Sequence, residues 1–165
     1  MKNKNVAFLT QAAATAAVYV VLTYLFAPFS FGEIQVRISE SLALLPLLTP
    51  AAVPGLFIGC LIGNILAGAI LPDIVLGSLA TLIGAAGTYL LRGRNRFLSP
   101  VPPIAANAVI VPFVLRFGYG VALPIPLMML TVGAGEVISC GILGLTVYFA
   151  LSRYSSIFSS TRYTR

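Results

Sequence analysis

Glu33, Arg37, Glu40, Asp73, Arg116 and Glu136 all lie within or beside long apolar runs, and they set the chemistry open to this chain. An ionisable group at mid-membrane costs about 2.5–3.5 kcal/mol on insertion scales, so it faces an interior partner or a ligand. Glu136 is the strongest single candidate. It sits about twelve residues into its run, some 18 Å deep at about 1.5 Å per residue. Gly133, Ala134 and Gly135 precede it and leave room for something to approach the backbone. A lone carboxylate at that depth is protonated, paired or liganded. If residues 33–49 are helical, Glu33, Arg37 and Glu40 recur at i, i+4 and i+7 on one face. Leu44 and Leu47 continue that stripe, while Gln35 and Ser39 lie on the other side. Two readings stand together for Arg37: an ion pair with Glu33 or Glu40, and a pocket shared with Glu40. Glu33 is assigned to capping or solvent, because Ser30-Phe31-Gly32-Glu33 fits a capping box.

Asn64 and Asn107 add amide donors and acceptors at similar or shallower depth, for a ligand or for a neighbouring helix. Asp73 follows Pro72 at the start of a run, where a helix N-cap is the default role. Phe29, Phe31, Phe113, Phe117 and Tyr119 fit an aromatic belt, and one or two of them can stack on a planar ligand. Beside these structural roles, Arg37, Glu40, Asn64, Asp73, Asn107 and Glu136 stay open as substrate-binding candidates.

Other chemistries lack their residues. The chain has no histidine, which removes the commonest general base and metal ligand. Cys60 and Cys140 are far apart inside apolar runs and read as small hydrophobes, not a disulfide or metal pair. No nucleotide-binding glycine motif, Ser/His pair or metal-ligand spacing is present. The expectation is a non-enzyme without metal or cofactor, which draws its energy from a gradient or a partner.

The elements that must position these residues are membrane spans. Hydrophobic residues make up 59% of the 165 and charged residues 8%, and several runs reach the length of about 17–25 residues that crosses a bilayer. Six spans are predicted, at roughly 6–26, 34–49, 51–70, 73–91, 101–118 and 124–151. The fold class is an all-α integral membrane bundle, one transmembrane substrate-binding domain over residues 1–165. A net charge of +6 would point to nucleic acid in a soluble protein. Here the basic residues fall at Lys2/Lys4, at Arg92-Gly93-Arg94-Asn95-Arg96, and at Arg153 with Arg162 and Arg165. All three clusters lie on one side, which the positive-inside rule makes cytoplasmic, together with both termini. Cleavage of a signal peptide within residues 1–27 is not expected, since Ala12 to Ala17 open the apolar run instead of closing it.

Span 1 carries two small-xxx-small pairs, Ala12/Ala16 and Ala13/Ala17. Span 3 repeats Gly55, Gly59, Gly63 and Ala67 at four-residue spacing, a ridge for close helix packing. Pro46, Pro50 and Pro54 crowd the turn between spans 2 and 3, so span 2 is short and irregular at its end.

The stretch Phe31-Gly32-Glu33-Ile34-Gln35-Val36-Arg37-Ile38-Ser39-Glu40-Ser41-Leu42 resembles the queuosine-precursor transporter (QueT) family. So do Leu45-Pro46, the segment Thr49–Gly59, the segment Asp73–Leu82, Pro102-Pro103 with Asn107-Ala108, and Gly133-Ala134-Gly135-Glu136. The resemblance implies a prokaryotic, multi-pass plasma-membrane S component of an energy-coupling factor (ECF) importer. Such a six-helix bundle captures substrate from outside and docks on a transmembrane coupling subunit with two ATPase subunits. It implies a 7-deazaguanine ligand such as preQ1 or queuine, and a coupling-subunit interface at Ala12, Ala13, Ala16 and Ala17. An S component for another vitamin or base, a proton-coupled secondary transporter, and a structural subunit without ligand are the alternatives. Six short spans with no convincing inverted repeat weigh against the secondary transporter.

Overall fold

A computed structural model describes residues 4–26 and 37–154. Glu33 with its capping box, Gln35, Phe29, Phe31, Lys2, Arg162 and Arg165 lie outside the described residues. Within them every regular element is a helix, and the helices form six stretches. These are α1 (Lys4–Leu25), a short stretch Ile38–Leu47, α2 (Ala52–Leu66), α3 (Leu71–Leu90), α4 (Val101–Phe117) and α5 (Ile125–Ser152). Four of the six are long and apolar enough to cross a membrane: α1, α3, Arg96–Phe117 (which contains α4) and α5.

Proline punctuates the bundle. Pro72, Pro102 and Pro126 stand in the first turns of α3, α4 and α5, where the missing N–H costs nothing and the fixed φ suits a helix start. Pro46 acts differently. Its ring removes a donor and collides with the carbonyl four residues earlier. Residues 37–49 therefore do not continue the single α-helix predicted for span 2 from the sequence. Two 3₁₀ turns, Ile38–Leu42 and Leu45–Leu47, carry the chain, and Arg37 ahead of them is extended at φ −85° and ψ 99°. The tighter winding covers more ground. Residues 37–49 reach about 24 Å at about 2.0 Å per residue, against about 18 Å at the α-helical rise of about 1.5 Å.

That reach is needed because α1 and α2 run parallel. A Cβ on Gly55 would lie 2.7 Å from the Ala12 carbonyl oxygen, one on Gly59 2.8 Å from Tyr19 Cβ, and one on Gly63 3.1 Å from Thr23 Cβ. The partners rise together along both helices, so the intervening chain must cross the full bundle to begin again at the same end. Its far end is pinned where Thr49 Oγ1 donates to Gln11 Oε1 at 2.7 Å. The glycine ridge predicted on span 3 is thus the α1–α2 seam. It also divides the alanines. Ala16 is buried against Gly59 and Ala12 lies on Gly55, whereas Ala13 and Ala17 face outward. Antiparallel α3 and α4 meet just as closely, with Gly84 on Pro103 and Gly87 on Pro102.

The crossing segment is the core of the molecule. Leu42, Leu44, Leu45 and Leu48 pack with Tyr19, Leu56, Ala85 and Tyr148. Large apolar side chains such as Leu9, Leu71 and Leu130 point outward, while the buried set includes Arg37, Glu40, Asp73 and Glu136. Polar inside and apolar outside is the arrangement a lipid solvent requires.

Candidate functional site

All six candidate residues are buried: Arg37, Glu40, Asn64, Asp73, Asn107 and Glu136. They lie in two connected tiers, and every span supplies at least one side chain.

The outer tier gathers at the start of α3. Arg37 Nη2 donates to both oxygens of Asp73, each at 3.4 Å. Tyr119 donates its phenol to Asp73 Oδ2 at 3.0 Å. Burial and the adjoining carboxylate push that phenol up to about 12, so it stays a donor at neutral pH. Asn64 Nδ2 reaches the Asp73 carbonyl oxygen at 3.5 Å. Two expectations are corrected here. Asp73 is not an N-cap, because Ile70 holds that position and Asp73 lies in the first turn of α3. Among the described residues the ion partner of Arg37 is Asp73 and not Glu40, because Arg37 is extended ahead of the first 3₁₀ turn and shares no helical face with Glu40. Gly77 floors this tier: a Cβ there would stand 2.8 Å from Asp73 Oδ1 and 3.4 Å from Asn64 Nδ2.

The deep tier centres on Glu40. Tyr19 and Thr81 both donate to its Oε1, the latter at 3.1 Å. Cys140 Sγ lies 3.1 Å from Glu136 Oε2 and 3.5 Å from the Glu40 carbonyl oxygen. One carboxylate oxygen of Glu40, one of Glu136 and the Cys140 sulfur lie within 4.8 Å of one another. Cys60 bridges the tiers, with Asn64 Nδ2 at 3.6 Å and Thr81 Oγ1 at 3.4 Å from its sulfur. Both cysteines are free and buried, as small hydrophobes are, and each also touches the polar cluster through its sulfur.

The deep tier is incompletely partnered. Glu40 Oε2 and both side-chain polar atoms of Asn107, which lies beside Glu136, are buried without a hydrogen bond of good geometry among the described residues, as is Ser139 Oγ on the turn after Glu136. Each such atom carries a cost of about 1–3 kcal/mol, because it has lost water and gained nothing. Here α5 abandons α-helical winding: Val137–Leu143, immediately after Glu136, is a π-helix. Such widened turns recur at functional sites, since they re-aim side chains the α-helix would hold in register.

Some aromatic and basic candidates stay outside. Phe113 and Phe117 stack on each other at 6.5 Å and face outward, as belt residues do. Arg116 donates to the Val121 carbonyl oxygen at 3.1 Å and braces a loop. The sequence reading missed Tyr19, Cys60, Thr81, Ser139 and Cys140. Their signal is present in the spacing: Cys60/Asn64, Gly77/Thr81 and Glu136/Cys140 are i, i+4 pairs of small or polar residues on one helix face.

The arrangement can hold a small, polar, planar molecule, with carboxylates to accept hydrogen bonds and amides to donate them. Among curated proteins and among solved structures nothing matches the chain. The family model of the QueT transporter matches residues 9–153, a range that includes every residue of both tiers. The chain is a multi-pass membrane protein and belongs to the QueT transporter family.

Proposed function

We propose that this chain is the substrate-capture S component of an ECF importer, binding a queuosine precursor of the 7-deazaguanine type. It would face the outer side and hand its cargo to a coupling subunit driven by two ATPases. The observation that carries this reading is the deep tier with its unpartnered polar atoms. A guanine-type edge offers two adjacent N–H donors, which suit a carboxylate, and a carbonyl oxygen, which suits an amide or guanidinium. Glu40 and Glu136, with no ion partner among the described residues, suit a cationic aminomethyl arm as well. Asn107 supplies the complementary amide, and Arg37, Asn64 and Asp73 wall the pocket.

Docking on the coupling subunit falls to the outward face of α1. Ala13 and Ala17 are the pair left exposed there, and their small side chains permit the close helix approach on which association in lipid relies. Ala12 and Ala16 support that face from behind through the glycine seam. Both termini and the Arg92–Arg96 run lie on the cytoplasmic side in this scheme.

A thermal-shift panel on the purified protein tests the ligand assignment. With preQ0, preQ1, queuine, guanine and unrelated vitamins, the expected result is a rise in melting temperature with a 7-deazaguanine alone. A rise with an unrelated vitamin would replace the substrate. No rise with any compound would leave the polar cluster as helix glue. Uptake that needs the ATPase module and survives collapse of the proton gradient separates this scheme from a proton-coupled carrier.

A further inference from the structure

The end of the bundle remote from Asp73 is strongly basic. A cavity of about 230 Å³ opens there, lined by Arg92, Arg94, Arg96 and Ser99, with Leu47 and Tyr148 at its floor. Ser99 is fully buried, and among the described residues neither its Oγ nor the buried Arg92 Nη1 has a hydrogen-bond partner. Arg92 is held in place over the Tyr89 ring, 5.0 Å from its centroid. Asn95 accepts from the Phe97 N–H at 3.0 Å and fixes the turn that carries Arg96. No carboxylate of the described chain can neutralise this cluster. The sequence has four acidic residues; Glu40, Asp73 and Glu136 belong to the buried tiers, and Glu33 lies outside the described residues.

We infer that this cavity binds the phosphate of an anionic phospholipid in the adjoining leaflet. A fork of guanidinium donors with a hydroxyl beside it matches the oxygens of a phosphodiester. The rim decides for a lipid over a free ion. Leu90, Phe97, Leu98 and Tyr154 are all exposed around this end, which sets the arginines at the boundary between hydrocarbon and headgroups. Basic pockets between membrane helices take lipid headgroups in that position.

The test uses the full-length protein in detergent, with bound lipids counted by native mass spectrometry. Titration with phosphatidylglycerol should show one site that phosphatidylcholine does not fill. Arg92→Gln with Arg94→Gln should weaken it by about fivefold per arginine removed. Ser99→Ala, which keeps every charge, should weaken it by about fivefold, and it serves if the double variant folds poorly. Lys4→Gln removes one charge at the start of α1 and should leave the affinity unchanged. Equal loss with Lys4→Gln would overturn the site in favour of a diffuse charge effect. Stabilisation by inorganic phosphate alone, equal to that by phosphatidylglycerol, would make it a free-phosphate site and overturn the lipid. Lipid binding untouched by the variants while co-purification with other subunits is lost would make it a protein contact, and that also overturns it.

Discussion

The outer and deep tiers are built from the same kinds of residue, yet they differ in how far they satisfy themselves. In the outer tier both oxygens of Asp73 receive donors, from Arg37 and Tyr119. In the deep tier Glu40 accepts from Tyr19 and Thr81 at one oxygen and leaves the other bare, while the Asn107 amide beside Glu136 and the Ser139 hydroxyl make no hydrogen bond of good geometry among the described residues. A buried polar network that closes on itself stabilises the fold. One left open is costly until something fills it. The outer tier thus braces the bundle, and under the proposed function the deep tier is the part that takes the ligand.

The largest expected effect would break the outer half of this comparison. Arg37→Met strands the Asp73 carboxylate in a buried setting, which costs about 3–5 kcal/mol. A large fall in melting temperature of the ligand-free protein is expected, and an unchanged one would remove the structural role. Arg37→Lys should fall between, because lysine supplies one point donor where the guanidinium spans both oxygens.

The deep tier should respond in the opposite way. Glu40→Gln and Glu136→Gln should leave the ligand-free protein folded and weaken ligand binding by about ten- to a hundredfold, or about 1.5–3 kcal/mol. Calorimetry reads this directly, and full affinity in both variants would move the pocket elsewhere. Next in size is Gly77→Ala. Its methyl would meet Asp73 Oδ1 at 2.8 Å, and the overpacking should cost about 1–3 kcal/mol of stability. If its melting temperature matches the parent, the floor under Asp73 is softer than drawn.

The smallest effect on the isolated subunit is expected on α1. Ala13→Leu and Ala17→Leu touch neither tier, so melting temperature and ligand affinity should stay within about 0.5 kcal/mol of the parent. Co-purification with the coupling module and uptake in cells should nevertheless fall together. Ala16→Leu is the contrast, since it strikes the glycine seam and should unfold the protein instead. Intact complex formation in the Ala13 and Ala17 variants would place the interface on another face.

Much of this contrast is legible in the sequence. A charged residue in an apolar run must turn inward, so Arg37, Glu40, Asp73 and Glu136 could be assigned to the interior one by one. Their pairing could not, because it depends on which helices become neighbours. Arg37 and Asp73 are thirty-six residues apart, and only the parallel packing of α1 on α2 sends the chain back across to join them. Ala12/Ala16 and Ala13/Ala17 were equally opaque. Each is a small pair at the same spacing, rotated by one residue, and the glycines opposite decide which pair is inside. The 3₁₀ winding was half visible: Pro46 marked a break, but not that the whole segment would stretch to bridge the bundle.

The two short stretches also dictate an order of assembly. Ile38–Leu47 and the 15-residue α2 fall short of a hydrocarbon core of about 30 Å, since α2 is only about 22 Å long. Neither has the length of an independent span, and the first brings Arg37 and Glu40 with it. Arg37 finds its carboxylate only once α3 has emerged with Asp73. A nascent chain halted after Leu66 should therefore hold α1 in the membrane and leave residues 37–66 outside it. The same chain extended through Leu90 should draw them in, and a glycosylation or protease-protection assay on the two lengths can follow that late entry.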